Sequence, residues 1–197
     1  MIGIPTMAQV HTLLFVIVIK WISDAYRSND YSLSIFPTIN VQPVDNARNE
    51  IVDAFLKSDA THLLFIDSDT IPPIDLIPRL LAHNLPIISG LTPIIELNQE
   101  NGEYWRKWNC VGEDDKHLEP NTGVKMCKGT GSSCIMIRRE VFEKMKPPYY
   151  RFVYKDDTGK DVMVSEDIYF IINALSLGIK AYVDTSIICQ HYKEMLF

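Results

Sequence analysis

Asp67-Ser68-Asp69 sets two carboxylates at i and i+2, directly after the apolar run Leu63-Leu64-Phe65-Ile66. On an extended backbone alternate side chains point the same way, so these acids can converge on one point. A short continuous apolar run is what a strand buried on both faces shows. Open parallel sheets bind ligands at the carboxyl ends of their strands, where this pair would stand. Two hard oxygen donors beside open loop suit Mg²⁺ or Mn²⁺, with a phosphate completing the coordination. An ordinary strand-to-helix turn explains the same residues, because Asp, Ser and Thr favour caps and turns. On this stretch alone the two readings weigh the same.

Further residues of suitable type lie downstream and upstream. Ser165-Glu166-Asp167 heads the helical pattern Ile168, Ile171, Ile172, Leu175. Helix capping and the macrodipole account for such a triplet, and that is the commoner case. Its chemical reading is a general base, since adjacent carboxylates raise each other's pKa. His191, after Ile187-Ile188-Cys189-Gln190, would add a nitrogen ligand and favour Mn²⁺ over Mg²⁺; a lone His near a terminus is more often a surface residue. Arg48 offers a planar fork to a phosphate or base edge, at a helix start that itself attracts anions; an ordinary exposed helix-start arginine explains it as well. Gly129 and Gly131 either let backbone approach a ligand or make a tight turn. Trp105 and Trp108 either stack on a sugar face or pin their loop to the core.

The elements that must position these groups alternate. Ile2-Gly3-Ile4-Pro5-Thr6 reads as a first strand, and Val10, Leu13, Leu14, Ile17, Val18 and Trp21 predict a long, largely buried helix up to about Tyr26. Ser32 to Phe36 reads as a second strand, and Ile51, Val52, Phe55 and Leu56 mark a second helix capped by Asp45 or Asn46. Strand, helix, strand, helix, strand predicts an α/β fold with a parallel sheet. Beyond it come a short helix with Pro78 in its first turn, strands over 86–89, 134–137 and 181–183, and helices over 139–145 and from Glu166 to about Leu177. Residues 97–123 read as a long polar loop, and 154–164 as a hairpin turning at Asp157-Thr158-Gly159.

At 197 residues the chain suits one domain, residues 1–197. A net charge of −6 argues against nucleic acid as a partner, because phosphate backbones demand clustered Lys and Arg. The four cysteines form no C-x-x-C pair, which argues against zinc and for free thiols in a reducing compartment. The apolar stretch Leu13 to Ile19 is too short to span a bilayer and has no basic leader. The expectation is a cytoplasmic chain without a transmembrane segment.

Taken in order, Ile2 to Thr6, Ala47-Arg48-Asn49, Asp67-Ser68-Asp69, Gly129-Thr130-Gly131 before Ile135 to Arg139, Ser165-Glu166-Asp167, Leu177 to Asp184 and His191 resemble the compact family 2 type of GT-A-fold glycosyltransferase. The resemblance covers nearly the whole chain; no single piece is specific, but the ordered set is. It implies a Rossmann-like three-layer α/β/α sandwich with a mixed, mostly parallel sheet. It also implies a nucleotide-diphosphate-sugar donor, UDP-sugar above others, and a glycan or other hydroxyl acceptor. Pro5, Thr6, Arg48, Asp67, Ser68, Gly129 and Gly131 match donor-binding positions. Asp69, with Asp67 and His191, matches the metal site for Mn²⁺ or Mg²⁺, and Asp167, supported by Glu166, matches the base of inverting members. Trp105 and Trp108 would serve the acceptor. Where many relatives read the base with an acid after the second strand, this chain has Pro37-Thr38-Ile39-Asn40. Two rivals remain: a haloacid-dehalogenase-type phosphatase with Asp67 as nucleophile and Asp69 as acid/base, which usually carries its motif near the N-terminus, and a catalytically silent sugar-nucleotide-binding module.

Overall fold

The computed structural model describes residues 1–7, 9–97, 104–156 and 159–192, with the side chains of Glu96, Leu97 and Trp105 outside that description. The first half follows the alternating pattern: β1 (Ile2–Thr6), α1 (Thr12–Ser28), β2 (Ile35–Ile39), α2 (Val44–Lys57) and β3 (His62–Ile66). A two-residue strand β4 (Thr70–Ile71), α3 (Leu76–His83) and β5 (Ile87–Leu91) come next. The segment read as a long loop contains strands: β6 (Pro93–Leu97) pairs antiparallel with β7 (Tyr104–Trp108), and β8 (Cys110–Gly112) pairs with β9 (Val124–Thr130). The remainder is β10 (Cys134–Arg138), α4 (Arg139–Lys144), the β11 (Val153–Tyr154) and β12 (Val162–Val164) hairpin, α5 (Glu166–Ser176), β13 (Ala181–Ile188) and β14 (Gln190–His191). Part of the expected Asp157-Thr158-Gly159 turn lies outside the described residues.

An eight-stranded sheet in the order β2-β1-β3-β10-β5-β13-β9-β8 forms the middle layer. Strands β1, β2, β3, β5, β13 and β8 run one way, and β10 and β9 run against them. The sheet is therefore mixed, with most strands sharing a direction.

Period-two alternation feeds two cores. Leu63 and Phe65 of β3 join Ile51, Phe55, Phe142 and Phe170 on one face, whereas Leu64 and Ile66 join Leu14, Trp21, Leu76 and Leu80 on the other. Full burial of each such side chain contributes about 1.5–3 kcal/mol, so β3 is held from both sides up to the residue before Asp67. Helices α2, α4 and α5 cover the first face, and α1 and α3 the second, giving the α/β/α layers.

Helix α1 departs from expectation. Only Leu14, Val18, Trp21 and Ala25 are buried, Ile17 is partly so, and Leu13, Phe15, Val16, Ile19, Ile22 and Tyr26 are exposed. Among the described residues no helix is long and apolar enough to cross a membrane. All four cysteines are free and buried.

Candidate active site

Strand direction decides which residues meet. Because β1, β3, β5 and β13 run together, their carboxyl ends at Thr6, Ile66, Leu91 and Ile188 share an edge with the start of antiparallel β10 at Cys134. Asp67 leaves that edge with its N–H on the Ser133 carbonyl at 3.1 Å, and the Thr70 N–H closes a turn onto the Asp67 carbonyl at 3.0 Å. Antiparallel pairing of β14 with β4, in the register His191 to Thr70, then brings the end of the chain back over the turn.

This register places the His191 imidazole on Asp69, with Nε2 3.2 Å from Oδ2. The other ring nitrogen, Nδ1, stands 3.1 Å from the Pro93 carbonyl, which can only accept. With Nδ1 donating there, Nε2 must carry a second proton to bond the Asp69 carboxylate, and a metal at Asp69 would take that proton's place on Nε2. The hydrogen bond to Asp69 raises the pKa of His191 above its usual value, against the opposing effect of burial. The Tyr192 N–H further fixes the tail on the Asp69 carbonyl at 2.9 Å.

Asp67 turns elsewhere. Both of its oxygens, at 2.9 and 3.3 Å, contact Nη2 of Arg48, whose Nε donates to Glu166 Oε1 at 3.2 Å. Arg48 is 3% exposed and lies over the rings of Phe65 and Tyr150. Burial disfavours its charge, yet Asp67 and Glu166 more than offset that, so its pKa is raised. The helix-start arginine is thus a buried link between the two acid motifs rather than an exposed one, and its Nη1 has no hydrogen-bond partner among the described residues.

At the head of α5 the two acids differ. Glu166 is buried, and desolvation, then Asp167, raises its pKa against the pull of Arg48. Asp167 is half-buried; its Oδ1 accepts from the Ser165 hydroxyl and from the Ile168 N–H at 2.8 Å. Capping and chemistry are therefore compatible, because the other oxygen, Oδ2, faces Gly131.

A Cβ at Gly131 would stand 2.9 Å from Asn109 Nδ2 and 3.5 Å from Asp167 Oδ2. Asn109 did not stand out in the sequence, where it lay in the presumed loop. Its Oδ1 accepts the Thr92 N–H at 2.9 Å, which fixes the amide orientation and leaves Nδ2 buried without a partner among the described residues. Gly131→Ala is expected to displace this amide and cost about 1–3 kcal/mol of stability, read by chemical denaturation. Gly129 lies against Ile168 of α5, where a Cβ would be 3.0 Å from Cδ1.

Three cavities meet around the Asp67–Asp69 turn. One of about 280 Å³ is lined by Arg48, Asp67, Asn109, Gly131, Asp167 and His191. Another of about 370 Å³, largely apolar, is lined by Pro5, Thr6, Val41, Ala47, Ser68 and Phe152. A third of about 490 Å³ has Met7, Gln9, His11, Ser68, Asp69 and Tyr192. Trp108 is not at this edge surface: it is buried in the core under the Arg106 guanidinium, 4.3 Å from its ring centroid. A ring so placed pins its strand instead of offering a face to a sugar. The side chain of Trp105, the other expected acceptor contact, lies outside the described residues.

Among the described residues no three His, Cys, Asp or Glu side chains gather closely enough to hold a metal unaided. Asp69 and His191 nonetheless supply an oxygen and a nitrogen donor side by side, a set that fits Mn²⁺ when a bound phosphate contributes the remaining ligands.

The sequence matches no protein-family model and no curated protein. Solved structures do share the fold. A197 from STIV is 20% identical with a TM-score of 0.64, over 98% of this chain and 85% of that one. GalNAc-T7, solved with UDP, GalNAc and Mn²⁺, is 13% identical with a TM-score of 0.62, over 98% of this chain and 44% of its own. The fold of the chain thus resembles the GT-A fold of these structures, and the chain spans less than half the length of GalNAc-T7.

Proposed function

We propose that the chain is a metal-dependent glycosyltransferase that moves a sugar from a UDP-sugar to an acceptor hydroxyl, with inversion. The observation that carries this reading is the clip of His191 onto Asp69, next to an Asp67–Arg48–Glu166 chain that ends beside Asp167. Two separate acid motifs and the last strand of the chain would have no reason to meet at one edge for packing alone.

In this reading the apolar cavity beside Pro5, Thr6 and Phe152 takes the nucleoside, and Ser68 borders the diphosphate. Asp69 and His191 would hold Mn²⁺, or Mg²⁺, whose charge would offset that of the leaving diphosphate. Arg48 keeps Asp67 and Glu166 in place, and Gly131 lets the reacting groups approach Asp167 and Asn109. Asp167 Oδ2 takes the proton of the acceptor hydroxyl as its oxygen attacks the anomeric carbon from the face opposite the diphosphate. The phosphatase alternative asks Asp67 to be a nucleophile, whereas both of its oxygens are engaged by Arg48.

Calorimetric titration of UDP with and without Mn²⁺ tests the reading. Binding is expected to require the metal, and Asp69→Ala is expected to weaken it ~100-fold or more, since even an outer-shell partner of a metal ligand is worth 10–100-fold. Metal-independent binding, or binding unchanged in Asp69→Ala, would remove the metal assignment.

A further inference from the structure

Helix α1 carries two apolar stripes, and the fold uses one. Leu14, Val18, Trp21 and Ala25, spaced by four, three and four, pack into the core. Phe15, Ile19, Ile22 and Tyr26 repeat the same spacing one residue on, about 100° around the helix, with Val16 beside them, and these five are 45–90% exposed. Alternating steps of three and four form the seam by which one helix packs along another. An apolar arc so much wider than the core covers calls for a second protein surface.

We infer that the outward stripe of α1 is a homodimer interface, in which α1 packs antiparallel on α1 of a second copy about a two-fold axis at Ile19. The five side chains expose on the order of 600 Å² per chain, above the few hundred typical of a monomer patch and near the ~800 Å² per partner of a standard interface. Antiparallel pairing is self-complementary in volume. With Ile19 facing Ile19, Tyr26 meets Thr12, Phe15 meets Ser23, and Val16 meets Ile22, so large side chains oppose small ones. Parallel pairing would set Phe15 on Phe15 and Tyr26 on Tyr26. The antiparallel arrangement also aligns the helix dipoles favourably and gives the closed symmetry of most homo-oligomers. Charge excludes little of it: Lys20 and Asp24 are paired with each other along one border of the stripe. The net charge of −6 disfavours an anionic bilayer as the covering surface instead.

Sedimentation velocity at ~50 μM, above the micromolar range of modest affinities, is expected to give twice the chain mass of 22.6 kDa, and Ile19→Asp the single mass. Because the native cysteines are buried, Ile19→Cys supplies the accessible thiol. Treated with diamide, which accepts the two electrons and two protons, it is expected to form a disulfide dimer, whereas Tyr26→Cys, displaced from the axis, is not. The cross-link keeps the inference open to test if the charged variant folds poorly. A monomeric wild type, a dimer untouched by Ile19→Asp, or a monomer that instead sediments with phosphatidylglycerol vesicles overturns it.

Discussion

Arg48→Met is expected to lower the unfolding free energy by about 3–5 kcal/mol at neutral pH, because it removes the cation that links two carboxylates and leaves their charge uncompensated. Both Asp67 oxygens and Glu166 Oε1 depend on this guanidinium, which lies beside the packed rings of Phe65 and Tyr150 and is almost fully buried. Met keeps the apolar stem packed, so the loss reports charge more than volume. The deficit should depend on pH with a definite sign. Burial already raises the pKa of Glu166, Asp167 raises it further, and Arg48 opposes both. Without Arg48 the pKa rises again. A carboxyl whose pKa is higher in the folded state binds its proton more tightly there than in the unfolded chain, so stability grows as pH falls through that pKa. Urea denaturation of the variant should therefore show the deficit shrinking from pH 7 towards pH 5, and Arg48→Met/Glu166→Gln should recover part of it at pH 7. A loss below about 1 kcal/mol, the scale of an exposed pair, would mean that the link carries little.

Much of the scaffold was legible because it rests on local pattern. The apolar run before Asp67 is a buried strand, and the period switches around it mark α2 and the βαβ order. What was not legible depends on register and on distant partners. Nothing near His191 announces Asp69; the two meet because two-residue strands pair in one register, across 122 positions. Arg48 reads equally as an anion-binding fork or an exposed helix-start residue until Asp67, 19 residues on, and Glu166, 118 residues on, close over it. The segment 97–123 is polar enough to read as loop, yet β7 pairs with β6 in a ribbon of its own, β8 joins the main sheet through β9, and Trp108 goes into the core. Helix α1 fails in the other direction. Its spacing predicts a largely buried helix, whereas only Leu14, Val18, Trp21 and Ala25 are buried.

Asp167→Asn is expected to lower kcat by about 10²–10⁴-fold, the range for loss of a positioned general base, while UDP affinity in the presence of Mn²⁺ stays within about twofold of wild type. The amide is nearly isosteric with the carboxylate and can keep the Oδ1 contacts to Ser165 and the Ile168 N–H. Only the oxygen facing Gly131 changes its chemistry, from a proton acceptor to a group that donates. A change confined to kcat, with the donor still bound, is the signature of an interaction made in the transition state alone. Glu166→Gln separates the roles within the motif. Its carboxylate is buried against Arg48, so that variant should shift stability and leave kcat far less affected than Asp167→Asn. Equal losses from both would make the pair a single structural unit, and a normal rate in Asp167→Asn would remove Asp167 as the base. In either case the proton would have to leave the acceptor by another route, and Asn109, an amide, offers none.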